Sequence, residues 1–154
     1  MRLKDRLITG GCVCVPVIII DRLLKAAVTA TDDFTLVKGF IAITETRNPG
    51  AAFSLLSGSP AAAGVLSALV LALLTCYALF SKSMTRSGAA ALFLVIGGGL
   101  ANLCDRLMYG YVIDYIRTLF VSFPVFNFAD MCVCVGAFLL VIFLLLPKKT
   151  DMHD

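Results

Sequence analysis

The chain has no tryptophan, one histidine among 154 residues, and a charged fraction of only 15%. That histidine, His153, stands on the C-terminal tail, so neither a histidine-based metal site nor a histidine-activated nucleophile has a candidate elsewhere. The cysteines are Cys12, Cys14, Cys76, Cys104, Cys132 and Cys134, and no two of them show the two-residue gap of zinc and redox motifs. All lie in apolar runs, which suits small hydrophobic fillers, and no metal or other cofactor is expected. The net charge is +3 and no Lys/Arg cluster interleaves with aromatics, so nucleic acid is not an expected partner. What the sequence has instead is hydrophobicity. Its residues are 60% apolar with mean hydropathy +0.96, against about 45–50% apolar and about 25% charged in soluble domains. The chain reads as a single integral membrane domain, residues 1–154, whose function lies within or beside the bilayer.

The expected fold class is an all-α membrane protein: four transmembrane helices with a small extracytoplasmic β-element between helices 1 and 2. Pro60 to Phe80 has no charge for 21 positions and Ser87 to Cys104 none for 18, each long enough to cross. The spans are placed at about 7–30, 60–80, 87–107 and 127–146. The last carries only Asp130 near its start and ends on Pro147-Lys148-Lys149, a lysine anchor. The first is interrupted by Asp21, Arg22 and Lys25, which must lie near an interface or be paired inside the bundle. Arg2, Lys4 and Arg6 before an apolar run, and Thr9-Gly10-Gly11-Cys12 within it, raise a secretory signal peptide or lipid-modification box as alternatives, both rejected in favour of a span. Basic residues favour one side: Arg2, Lys4, Arg6, Lys82, Arg86, Lys148 and Lys149 against Lys38, Arg47, Arg106 and Arg117. The positive-inside rule then puts both termini in the cytoplasm and the longer loops outside. The outer segment 31–59 holds the β-branched and aromatic run Phe34 to Thr46, followed by Asn48-Pro49-Gly50, read as a β-element with a turn on the membrane surface.

Ionisable groups at membrane depth are costly and mark function by default. Asp21 and Lys25, four apart, share a helix face and pair. Asn102, Asp105 and Arg106 share a face at the outer end of span three and read as a hydrogen-bond cluster. Asp114 and Asp130 flank a short outer connection and can converge at one depth, with Arg117 within possible reach of Asp114. Two carboxyl groups in a poorly solvated site share a proton, which lets one activate water while the other polarises a carbonyl. The residues alone leave isolated acids and a catalytic dyad equally open. Serine chemistry at Ser54 or Ser57 lacks a histidine base. Gly97-Gly98-Gly99 is read as close helix packing rather than a phosphate loop. A small proton-coupled transporter using Asp21, Lys25, Asp114 and Asp130 as a relay is the competing reading, and a non-catalytic assembly protein a third.

Five ordered motifs then carry a resemblance: Asp21-Arg-Leu-Leu-Lys25, Asn48-Pro-Gly-Ala-Ala-Phe-Ser54, Gly98-Gly-Leu-Ala-Asn-Leu-Cys-Asp-Arg106, Gly110-Tyr-Val-Ile-Asp-Tyr115 and Phe126-Asn-Phe-Ala-Asp130. Together they resemble the bacterial lipoprotein signal peptidase (signal peptidase II) family of intramembrane aspartic peptidases. The resemblance implies Asp114 and Asp130 as the catalytic pair, with Asp21, Lys25, Asn48, Gly50, Asn102, Arg106 and Asn127 supporting the site or touching substrate. It also implies Asp105 as a structural acid and Gly110 as a turn glycine. The implied substrate is a diacylglyceryl-modified prolipoprotein cut N-terminal to its lipidated cysteine, with membrane lipid as surroundings. The implied location is the bacterial cytoplasmic (inner) membrane with the active site near the outer face, in a monomer, and segment 31–59 lying over the groove as cradle or lid. Three positions depart from the family pattern: Arg22 stands where glutamine is usual, Ala101 where glycine is, and Tyr115 where phenylalanine is.

Overall fold

The computed structural model describes residues 1–50, 59–81 and 84–145. Ser54, Ser57, Lys82, Pro147 to Lys149, His153 and the 51–58 portion of the expected lid lie outside the described residues. Helix α1 runs Leu3–Thr29, strands β1 and β2 are Phe34–Val37 and Ile41–Asn48, and helices α2 and α3 are Pro60–Phe80 and Arg86–Tyr109. Strand β3, Val112–Thr118, and helix α4, Phe128–Leu145, complete the order. The protein is mostly helical, and α1, α2 and α3 are long and apolar enough to cross a membrane.

Apolar side chains cover the outside of the bundle as well as its core, and several polar ones are buried within. Large side chains such as Leu23, Leu73, Phe80 and Phe138 point away from the bundle, while Arg6, Asp21, Lys25, Asn102, Asp105, Asp114 and Asn127 are buried in it. Lipid tails solvate leucine as well as another leucine does, so packing and polar pairing, not hydrophobic burial, hold such helices together. Helix α3 is the hub, and the glycine run says why. A Cβ at Gly97 would meet Cys14 of α1 at 3.1 Å, one at Gly98 the Ala129 carbonyl oxygen of α4 at 2.4 Å, and one at Gly99 Leu71 of α2 at 2.5 Å. Three consecutive residues, 100° apart on a helix, thus admit three neighbours, as the close-packing reading expects.

The helices alternate in direction. Arg6 at the start of α1 donates to Ala78 O at 3.2 Å, to Leu79 O at 2.9 Å and to Ser81 O, the unpaired carbonyls ending α2. Helix α1 therefore begins at Leu3 rather than near residue 7, and Arg6 is a buried cap rather than a charge on a connection. At the opposite end, Asp21 reaches Ala129 of α4 and Lys25 reaches Asn102 of α3.

The β-element differs from expectation in two ways. Its reversal falls at Lys38 to Phe40, where Gly39 takes φ +78° and Phe40 N–H donates to Val37 O at 3.0 Å, and not at Asn48-Pro49-Gly50. It is also not confined to the segment between α1 and α2: β3, from the connection after α3, pairs antiparallel with β2 in an order β1-β2-β3. The sequence 112–118 reads Val, Ile, Asp, Tyr, Ile, Arg, Thr, a β-favouring run whose aspartate masks the strand signal. Gly110 caps α3 at φ +80° and returns the chain at once into β3.

Replacing Gly98 by alanine forces backbone against backbone and is expected to lower thermal stability in detergent by about 1–3 kcal/mol. Gly11, where an added Cβ meets nothing within 4 Å, serves as control. Gly11→Ala leaves the melting temperature level or higher, and equal effects of the two substitutions contradict the packing account.

Candidate active site

Strand alternation sets the first half of the site. In the β2–β3 register Thr46 lies opposite Asp114 and Asn48 opposite Val112, so Asn48, Val112 and Asp114 share one face. Asn48 Nδ2 donates to Asp114 Oδ2 at 2.9 Å. Arg117, three residues on, belongs to the other face and is exposed, and no ion pair joins it to Asp114 among the described residues. The expected contact between them is thereby corrected.

A capping box sets the second half. Asn127 Oδ1 accepts from Asp130 N–H at 2.9 Å while Asp130 Oδ2 accepts from Asn127 N–H at 3.1 Å, closing the first turn of α4 reciprocally. The other oxygen, Asp130 Oδ1, accepts from Asn102 Nδ2 at 2.8 Å. Asn127 Nδ2 reaches across to Asp114 Oδ1 at 2.7 Å. Every oxygen of the two carboxylates thus has an amide partner, and Asn127 touches both acids.

Asp114 and Asp130 line one cavity of about 440 Å³, together with Asn48, Asn102 and Arg106. Its other wall is apolar, built from Phe123 to Phe126 and from Met131, Val133 and Cys134. Phe126 is held there by a two-way bridge to Ile116. Arg106 donates to Gly50 O at 2.9 Å and to Asn102 O at 3.3 Å, and Gly50 N–H donates to Asn48 Oδ1 at 3.0 Å. Burial pushes the Asp114 carboxyl up to about 6, against the lowering effect of the Asn48 amide and with the charge of Asp130 adding to the rise.

Asp21, Lys25 and Asp105 are placed behind the cavity rather than in it. Lys25 Nζ contacts Asp21 Oδ2 at 2.8 Å, Asp105 Oδ2 at 2.6 Å and Asn102 Oδ1 at 3.0 Å. The Asp21–Lys25 pair is present as expected, while the grouping of Asn102, Asp105 and Arg106 divides: Asp105 turns to α1 and Arg106 to the cavity. Sequence reasoning puts Arg22 near an interface or paired inside the bundle but does not identify Asp105 as its partner, and it misses the apolar 123–126 wall, whose residues carry no motif. The departure at Tyr115 has a use: its hydroxyl oxygen accepts from Phe128 N–H at 3.3 Å, the opening of α4, and burial raises its own pKa to about 12.

Such a bundle, with two amide-held carboxylates facing one partly apolar cavity, has the makings of an aspartic hydrolase working inside a membrane. The sequence profile of Signal peptidase (SPase) II matches residues 13–146. The lipoprotein signal peptidase of Clostridium acetobutylicum is 34% identical over 144 residues, covering 89% of this chain and 92% of its own. That of Syntrophomonas wolfei subsp. wolfei is 37% identical, covering 90% and 93%. A solved bacterial membrane enzyme superimposes with TM-score 0.83 at 30% identity, covering 95% of this chain and 93% of its own. The chain belongs to the signal peptidase II family. It is a peptidase, and the transporter reading of the same acids is not supported.

Asp114 has a folded pKa above its unfolded value near 3.8, so between those values the folded state binds the extra proton. Its contribution to stability is present at low pH and is lost as pH rises through about 6. Relative to Asp114→Asn, the wild-type protein is expected to lose up to about 3 kcal/mol as pH rises from about 3.8 to about 6. Melting curves of both proteins across that window check the sign, and parallel curves contradict it.

Proposed function

We propose that this chain hydrolyses the peptide bond N-terminal to the lipidated cysteine of diacylglyceryl-modified prolipoproteins, using Asp114 and Asp130 as its catalytic pair. Family membership makes removal of signal peptides from prolipoproteins its activity. The observation that carries the residue assignment is that both carboxylates line one cavity and are oriented by Asn48, Asn102 and Asn127. With one proton between them, the ionised acid takes a proton from water as it attacks the carbonyl, and the protonated acid hydrogen-bonds the carbonyl oxygen. The tetrahedral intermediate then breaks to the amine, which receives a proton from the pair. Arg106 and Asn48, on the polar wall, position the substrate backbone, and Phe123 to Phe126 with Met131 present an apolar surface to a lipid-bearing residue.

The topology that fits this reading has α4 as a fourth span, both termini cytoplasmic, and the cavity near the outer face. The bias of basic residues supports that orientation, as does the sheet at the cavity end of the bundle. A monomer suffices, because this chain alone supplies both acids.

Asp114→Asn and Asp130→Asn are each expected to lower kcat by about 10³-fold or more, with the protein still inserted and folded. The assay is cleavage of a lipidated precursor beside its unlipidated counterpart, followed by mass spectrometry. Wild-type turnover by either variant removes the assignment, and equal cleavage of both precursors removes the lipid requirement.

A further inference from the structure

Behind the cavity lies a cluster of four charges from two helices. Asp21 and Asp105 are fully buried and Lys25 nearly so, and the Arg22 side chain is 28% exposed. Arg22 pairs with Asp105 Oδ1, stands 3.8 Å from Asp21 Oδ2, and donates to Ala101 O at 3.3 Å. The two acids have further contacts, and these are matched. Asp105 Oδ2 accepts from Ile113 N–H at 3.3 Å, and Asp21 Oδ1 accepts from Ala129 N–H at 3.2 Å. Each buried acid therefore holds the peptide group of the residue immediately before one member of the pair, Asp114 or Asp130.

Lys25 alone cannot neutralise this arrangement. It donates hydrogen bonds to Asp105 and Asn102 and stands 2.8 Å from Asp21 Oδ2, so its single charge faces two acids. Arg22 supplies the second charge and binds the oxygen of Asp105 that Lys25 leaves open. We propose that Arg22 is a positioning residue for the hydrolytic reaction: it neutralises the Asp21–Lys25–Asp105 cluster and, through Asp105, fixes the strand segment that presents Asp114. This rests on the reading of Asp114 and Asp130 as the catalytic pair.

Losing the Arg22 charge leaves a net negative cluster behind the pair. The titratable groups that act on the pair are then Asp21 and Lys25 from α1, Arg106 from α3 and Tyr115 from β3, with Asp105 behind Arg106, while α2 carries no charge. An added negative field favours protonated carboxyls, so the pH at which activity falls on the acid side moves upward.

The test uses the full chain in lipid bicelles with a lipidated precursor. Arg22→Met removes charge and donor, Arg22→Gln keeps a donor without the charge, and Arg22→Lys keeps the charge. Arg22→Met is expected to lower kcat about tenfold with KM within about twofold, and to move the acid limb up by about half a pH unit. Arg22→Gln shifts the limb similarly with a smaller loss of kcat, and Arg22→Lys restores both. An unshifted limb with wild-type kcat in Arg22→Met overturns the proposal. Should that variant not be recovered folded, the limb of Arg22→Gln decides: a shift supports the role and no shift overturns it. Asp114→Asn and Asp130→Asn, run alongside, keep two failures apart. Both inactive with Arg22→Met unaffected sinks the role of Arg22 alone, whereas activity in either sinks the pair and this proposal with it.

Discussion

One buried ammonium group organises the molecule. Lys25 sits among Asp21, Asp105 and Asn102, and these contacts join α1 to α3 where water cannot substitute for a missing partner. Through Asp21 the grip extends to the start of α4, and through Asp105 to the start of β3. A lone charge there costs several kcal/mol, so the surrounding elements are held wherever its partners are. The cavity is what those constraints leave between them.

Packing makes the polar arrangement possible. Helices in lipid gain little from burying leucines against each other, so the close approach at Gly97 to Gly99 and at Gly136 brings backbones near enough for short polar side chains to meet. Asn102 illustrates the result: from the centre of the bundle it accepts from Lys25 and Asn127 and donates to Asp130. A wider separation between α3 and α4 would leave those amides unable to span the gap.

Much of the architecture was legible in the residues, because a charge-free apolar run of membrane length is suited to a bilayer and to little else. Pro60 to Phe80 matched its helix to the residue, helped by Ser59 as cap and Pro60 at the first position. The start of α1 was misplaced because Arg6 looks like an exposed topological charge, and only the carbonyls of a distant helix end reveal it as a cap. Strand β3 was missed for a related reason: pairing with β2 joins segments more than sixty residues apart, and local pattern carries no record of such a partner. The polar members of the site were foreseeable as buried polar groups in an apolar chain. Their division into a front set facing the cavity and a rear set behind it was not, since Asp105 and Arg106 are adjacent in sequence yet serve different neighbours.

The reciprocal cap at Asn127 and Asp130 places a carboxylate with two employments at the mouth of a helix. The oxygen that secures the opening turn belongs to an acid proposed above to exchange protons, and a protonated carboxyl is the poorer acceptor for the Asn127 amide. On the proposed assignment, each proton exchanged at Asp130 would weaken and then restore the fastening that opens α4.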